Sequence, residues 1–417
     1  MTARLPILVL NGGSSSIKFS LYDAEGDRLT LLDEGEASGI GTPQARLKFS
    51  TIQDGNRQQQ SSQLKPEGLS SFPDAVREIA GILGRPGMPR PVAIGHRVVH
   101  SGPKLHAHQR ITPEVLADIE QATSFAPLHQ PIALEIVREA MQHFAAVENY
   151  ACFDTVFHQT MPEVASIYPL PEEIRRQGVH RYGFHGLSCE SILPQFDEKR
   201  VSESRSAGKP LDAIPPRLII AHLGSGASLT AVQNGKSLDT TMGLTPSGGV
   251  LMGTRPGDLD PGVIFYLLRG HSEKAHATDA VERLLNHKSG LLALSGTSND
   301  MRVLRAAAAS GDSQAALAIE AFVWSVKKAI GGFIALMGGL DALVFTGGIG
   351  EHDALTRAQV CAGLQVFGIQ IDPEKNEAAE PKARRITLQK SSVSAYVLPA
   401  QENLTIAAHV ARLAPQR

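Results

Sequence analysis

The sequence is short of charge of either sign in excess: 40 Lys and Arg stand against 42 Asp and Glu, a formal net charge of −2 at pH 7. A surface so balanced has no field to gather nucleic acid or an anionic membrane, so the expected partner is a small molecule. Cysteine is scarce as well. Cys152, Cys189 and Cys361 are odd in number, far apart and without metal-ligand spacing, which argues against a disulfide framework and fits a reducing cytosol. Long apolar runs are also missing. Leu5 to Leu10 is too brief for a signal-peptide core, and no stretch approaches the roughly 18 residues of a membrane span. The expectation is a cytoplasmic protein that binds neither nucleic acid nor membrane. At 417 residues the chain exceeds the usual size of one core, which predicts two domains.

Along the chain, "LPILVLN" and "KFSLYD" read as two antiparallel strands joined by a tract of glycine and serine. The polar "NRQQQSSQ" reads as a loop, "SFPDAVREIAGILG" as a helix and "PVAIGHRVVH" as a buried strand. "TPEVLADIEQATSFAPLHQP" opens on a Thr-Pro helix entry, and "NYACFDTVFH" is a strand with Asp154 at its C-terminal end. Residues 196–216 are charged and rich in Ser and Pro, a surface excursion. "RLIIAHLGSGASLTAVQNGK" then repeats the opening stretch: with Asn11 set against His222, Gly13 falls on Gly224 and Ser14 on Ser225. A separation of about half the chain is what a duplicated lobe produces. A long alanine-rich helix leads into "DALVFTGGIGEHD", a strand, glycine turn and helix of the kind that brings backbone close to a nucleotide. "AYVLPAQENLTIAAHVARL" reads as a strand, a loop with Glu402 and a closing helix.

Phosphates need donors that approach closely, and "NGGSSSIK" supplies backbone amides, short hydroxyls and one lysine. It is not a Walker A loop, because the lysine enters a strand. A polar hairpin tip is the alternative reading, and the second copy at 222–228 favours two phosphate hairpins. Arg97, Arg255, His129 and His185 stand on irregular backbone among apolar or small residues, a set that suits an anionic ligand. Asp154 and Glu402 are the carboxylates proposed for Mg2+, against a capping Asp and a solvated Glu.

Taken together these stretches resemble the acetate kinases. "LNGGSSSIK" is similar to the first signature of that family and "LIIAHLGSGAS" to the second, with its H-x-G-x-G-x-S pattern intact at His222, Gly224, Gly226 and Ser228. The resemblance runs in collinear order through "GHRVVHSG", "FAPLHQP", "FDTVFHQTMP", "RYGFHG", "DTTMGLTP", "MGTRPGDLDPG", "SGLLALSGTSNDMR" and "VFTGGIGE". It implies membership of the acetate and sugar kinase, Hsp70 and actin superfamily. The implied fold is α/β, two lobes of duplicated ββαβαβα topology (ribonuclease H-like) with an ATP cleft between them, in a homodimer. The implied boundaries are 1–154 plus 401–417 for the N-terminal lobe and 155–400 for the nucleotide-binding lobe.

The resemblance also implies roles. Asn11, Ser14, Ser16 and Lys18 would border phosphates and metal, and Arg97 and Arg255 would grip the acetate carboxylate and the transferring phosphoryl group. His185 would bond the equatorial oxygens, with His129, His222, Gly224, Ser225 and Gly226 along the phosphate path. Asp154 and Glu402 would place Mg2+ or Mn2+, and Asp300, Arg302, Gly347, Gly348 and Gly350 would receive the adenosine of ATP or ADP. Val99, Leu128, Phe184 and Pro246 match the pocket for the acetate methyl. The implied reaction is direct in-line transfer to a carboxylate oxygen, giving acetyl phosphate. Departures are Ser225 for the usual Asn, Leu187 and Cys189 after "FHG", "TPSGG" for "TPLEG", and Gln401 and Asn403 around Glu402. Rival readings are a propionate or butyrate kinase of the same family and a nucleotide-gated binding protein.

Overall fold

The structure is a computed structural model that describes residues 4–53, 56–62, 66–196, 214–270, 276–378 and 383–415. The excursion read at 196–216 lies almost wholly outside them. The chain divides into two compact units, 1–156 with 401–417, and 157–400.

Unit 1 is built on a mixed sheet. Strands β1 (Leu5–Gly12), β2 (Ser16–Glu25), β3 (Arg28–Ser38), β4 (Arg46–Gln53) and β5 (Asn56–Ser62) run antiparallel in succession. On the other side of β1, β6 (Ala93–Val98) and β8 (Glu148–Phe153) are parallel to it, and β7 (Gln109–Arg110) closes the edge antiparallel to β8. "NRQQQSS" is therefore strand and not loop, a correction to the reading of its polar composition. An edge strand needs only one ladder, and this segment has one to β4 at the end of the sheet.

Alternation along β1 sends Leu8 and Leu10 to one face, where they pack with Ile79 and Leu83 of the helix Phe72–Leu83 and with Ile136 and Ala140 of the helix Gln130–His143. The opposite face carries Asn11 and is covered by the helix Glu402–Leu413. That helix sits close because β6 has a glycine beneath it. A Cβ at Gly95 would stand 2.5 Å from Ile406 Cγ2 and 2.8 Å from Val410 Cγ2.

Unit 2 repeats the plan. Strands β9 (Arg217–Leu223) and β10 (Ala227–Gln233) form the hairpin, β11 (Lys236–Thr240) extends it, and β12 (Ala342–Thr346) and β14 (Ser394–Val397) run parallel to β9. The edge strand β13 (Arg384–Arg385) is antiparallel to β14. The order β11-β10-β9-β12-β14-β13 matches β3-β2-β1-β6-β8-β7 strand for strand and sense for sense, and among the described residues β4 and β5 have no counterpart in unit 2. The second hairpin is one residue tighter, since Asn11 faces Lys18 whereas His222 faces Ser228. On β9, Leu218 and Ile220 pack with Cys189, Ile192 and Phe196, beside the helix Gly186–Ile192. His222 shares their face by the same alternation. None of the described helices is long and apolar enough to cross a membrane.

One buried group in unit 1 makes stability depend on pH. Asp33 of β3 is fully buried, accepts from Thr51 Oγ1 at 3.2 Å and Arg85 Nη2 at 2.9 Å, and has no partner for Oδ1 among the described residues. Burial outweighs those bonds and lifts its pKa to about 6. The folded state thus holds this proton more tightly than the unfolded chain, and the contribution of Asp33 is lost as pH rises from about 4 through 6. Asp33→Asn removes the ionisation, so it is expected to stabilise the protein above pH 6 by at most about 3 kcal/mol, with the gain vanishing below pH 4. Thermal melts of both proteins from pH 4 to 8 check this, and parallel curves would contradict it.

Candidate active site

In unit 1 the end of β1 collects polar groups. Asn11 Nδ2 donates to Glu402 Oε2 at 2.9 Å and to Asn403 Oδ1 at 3.0 Å, and Asn403 in turn donates to Ser20 Oγ at 2.8 Å. Arg97 stands not on irregular backbone, as expected, but within β6 as its last-but-one residue, paired with Cys152 of β8; it donates through Nε to Asp154 Oδ2 at 3.0 Å, and Nη2 reaches the same oxygen. Its Nη1 donates to the Gly12 carbonyl at 3.0 Å, which ties it to the mouth of the first hairpin. Burial works against the Arg97 charge, yet the carboxylates of Asp154 and Glu402 outweigh it and raise the pKa. Ser14 is exposed in the turn, which closes by a bond from Gly13 N to Ser16 O at 2.7 Å. Lys18 is exposed on β2 beside Ser20, Glu36, Lys48 and Asn403, lining a cavity of about 230 Å³. Val99 is buried, and Leu128 and His129 are half-buried at the start of the helix Gln130–His143.

Unit 2 brings a second group together. His185 N-caps the helix Gly186–Ile192 with φ of 59°, a left-handed backbone that a residue with a Cβ adopts at a cost of about 1–2 kcal/mol. Its ring stacks on His222 at 4.1 Å between centroids. Each imidazole has a serine at Nδ1: Ser228 Oγ lies 2.9 Å from that of His185 and Ser188 Oγ 2.8 Å from that of His222. Both rings adjoin the glycine turn between β9 and β10. A Cβ at Gly226 would stand 3.5 Å from His185 Nε2 and 3.8 Å from Arg255 Nη1, and one at Gly224 would stand 4.0 Å from His222 Nε2 and 3.8 Å from Gly348 N. Arg255 is held by donating Nη1 to the Pro246 carbonyl at 2.7 Å. Ser225 is exposed at the tip of the turn, and its carbonyl accepts from Gly253 N at 3.1 Å. Phe184, immediately before His185, is buried, as is Pro246.

The residues expected to receive the nucleotide form two clusters in this unit. Gly347, with φ of 76°, opens the helix Gly347–His352, and a Cβ there would come within 3.1 Å of His222 Nε2, so the turn adjoins the histidine pair. Asp300 N-caps the helix Met301–Ala309 and pairs with Arg302 Nη2 at 2.6 Å, which lowers the Asp300 pKa chiefly through that bond. Sequence reasoning gave no part to Ser188, Glu351 or Arg357, and named Asn403 only as a departure. Ser188 meets His222, Glu351 meets Ala400, Arg357 meets Asn376 and Asn403 meets Asn11 across stretches that no local residue pattern joins.

Residues 6–408 match the model of the acetokinase family. The chain belongs to the acetokinase family. An acetate kinase of Rhodopseudomonas palustris is 42% identical over 415 residues, 98% of each chain. Among solved structures, acetate kinase of Porphyromonas gingivalis superposes with a TM-score of 0.79 at 36% identity, covering 98% of this chain and 99% of that one. A propionate kinase from Francisella tularensis gives a TM-score of 0.83 at 35% identity, covering 98% and 100%. These acetokinase relatives extend over both units, so neither glycine hairpin is an isolated resemblance.

Proposed function

We propose that this acetokinase transfers the γ-phosphoryl group of ATP to acetate, reversibly, giving acetyl phosphate and ADP. The observation that carries the reading is that His185 and Arg255 both lie beside Gly226, so that an imidazole, a guanidinium and a glycine-rich backbone turn stand together. Acetate is an anion at neutral pH and needs no general base. Its oxygen attacks the γ-phosphorus while the bond to the β,γ-bridging oxygen breaks, and the electron pair leaves with ADP. Catalysis is then positioning and neutralisation of charge. Arg255 and His185 act on the transferring group, Arg97 on the acetate carboxylate, and Val99, Leu128, Phe184 and Pro246 on the methyl. Lys18, Ser14, Ser16, His222 and His129 border the phosphates, and the Gly347–Gly350 turn with Asp300 and Arg302 receives the adenosine.

The oxygen donors of unit 1 suit a hard divalent cation, Mg2+ or Mn2+. Asp154 is a buried carboxylate and Glu402 a half-buried one, and both bear on Arg97. Asn11 commits its amide nitrogen to Glu402 and Asn403, so it orients Glu402. Bound there, the cation supplies further neutralisation of phosphate charge.

The likeness to a propionate kinase favours a second reading, with propionate as substrate. One methylene is worth about 1–3 kcal/mol in such a pocket, or roughly 10- to 200-fold in kcat/KM. The ratio of kcat/KM for acetate, propionate and butyrate tests it: a value highest for acetate supports the first reading, and one highest for propionate the second.

We also assign a cytoplasmic location, on the scattered cysteines, and a homodimer. The apolar helix Pro261–Gly270 has no buried residue, and Phe265 and Tyr266 are 56% and 72% exposed on it. A second copy would cover them. Sedimentation is expected to give twice the mass of one chain, and a single-chain mass at micromolar concentration would contradict the assignment.

A further inference from the structure

The carboxylate of Glu351 is used in an unusual way. Its Oε1 accepts from Gly347 N at 2.9 Å and from Ala400 N at 3.1 Å, with Thr346 Oγ1 at 3.4 Å. Gly347 follows β12 and Ala400 follows β14, and these two strands are parallel neighbours. One oxygen therefore joins the residue directly after β12 to the third residue after β14, beyond the C-terminal ends of two adjacent strands, the place where an open α/β sheet receives its ligand. The backbone of Glu351 is itself fixed. Arg357, the largest of the fully buried side chains, donates Nη1 to the carbonyls of Gly350 at 2.9 Å and Glu351 at 3.0 Å, and its Nε and Nη2 go to Asn376. The turn is thus held at its start by a carboxylate and at its end by a guanidinium. Ala400 is the last residue of unit 2, and Glu402 follows two positions later.

We propose that Glu351 is a positioning residue for the nucleotide, holding the Gly347–Gly350 turn in its receiving shape and tying it to the segment that leads to Glu402. The inference rests on the reading of that turn as the adenosine site. Glu351 touches no reacting atom, so its loss acts on nucleotide affinity and leaves the acetate side alone. Without its carboxylate, the amides of Gly347 and Ala400 lose their acceptor and the turn relaxes. A glutamine keeps one carbonyl oxygen of the same reach, whereas an aspartate keeps the charge but is a methylene short.

The test is ADP binding by titration calorimetry with metal chelated, alongside KM for ATP and for acetate, in wild type, Glu351→Ala, Glu351→Asp and Glu351→Gln. The expected result is at least a tenfold weaker ADP affinity and a matching rise in KM for ATP in the Ala and Asp variants. KM for acetate should stay within about twofold, and Gln should restore affinity to within about threefold. An unchanged ADP affinity in either the Ala or the Asp variant would overturn the proposal. So would a parallel loss for both substrates that Gln fails to rescue, because that pattern marks a general structural role. Wild type that binds no ADP would instead remove the reading of the nucleotide turn itself.

Discussion

Arg255→Ala is expected to lower kcat by roughly 10^3- to 10^5-fold, the range an arginine acting on a transferring phosphoryl group contributes. The effect on the fold should be small by comparison. The Arg255 guanidinium donates to the Pro246 carbonyl at 2.7 Å and to the Met252 sulfur at 3.7 Å, and a hydrogen bond of this kind contributes about 1 kcal/mol, less than the roughly 4–7 kcal/mol that such a loss of rate represents. Melting temperature and turnover should therefore separate. Arg255→Lys is not a conservative test, because an ammonium lacks the planar fork that could hold the Pro246 carbonyl and a phosphoryl oxygen together. Steady-state kinetics with a melt of the same sample check the expectation, and near-normal turnover in a folded Arg255→Ala protein would remove Arg255 from the reaction.

Asp154→Ala should be costly to the fold itself. The side chain of Asp154 is 1% exposed and that of Arg97 17%, and removing the carboxylate strands a largely buried guanidinium. Breaking such a pair costs about 3–5 kcal/mol, most of it the penalty of the charge left behind. The double variant Arg97→Ala with Asp154→Ala should consequently lose less than the sum of the two single losses. Denaturant melts of the four proteins measure this, and additivity to within about 0.5 kcal/mol would show that the pair is not coupled. Activity should be lost in all three variants, since both residues stand at the mouth of the first hairpin.

How much of this was legible beforehand depends on the distance over which each feature is decided. The β1–β2 hairpin could be read from an apolar run followed by alternation, because both signals are local. The helix Ser313–Met337 was legible for the same reason. The strand β5 was not, since its polar residues form a strand only through the ladder that β4 offers. The duplicated topology was visible in two short stretches, yet its extent, six strands matched in order, emerges only from the sheets. In the candidate site the residue types were legible and their neighbours were not. Asn11 and Glu402 stand 391 positions apart, and the serines that meet His185 and His222 lie on a strand and a helix that no local pattern joins to them. Glu351 reads as an ordinary helical glutamate until its oxygen is seen between two strand ends.

The most direct measurement is acetate-dependent formation of acetyl phosphate, trapped as the hydroxamate, with purified protein, ATP and Mg2+. The account predicts hydroxamate in proportion to ADP released, dependent on acetate and abolished with Arg255→Ala. ADP release that no carboxylate changes, with no hydroxamate formed, would contradict it and leave a nucleotide-hydrolysing protein in its place.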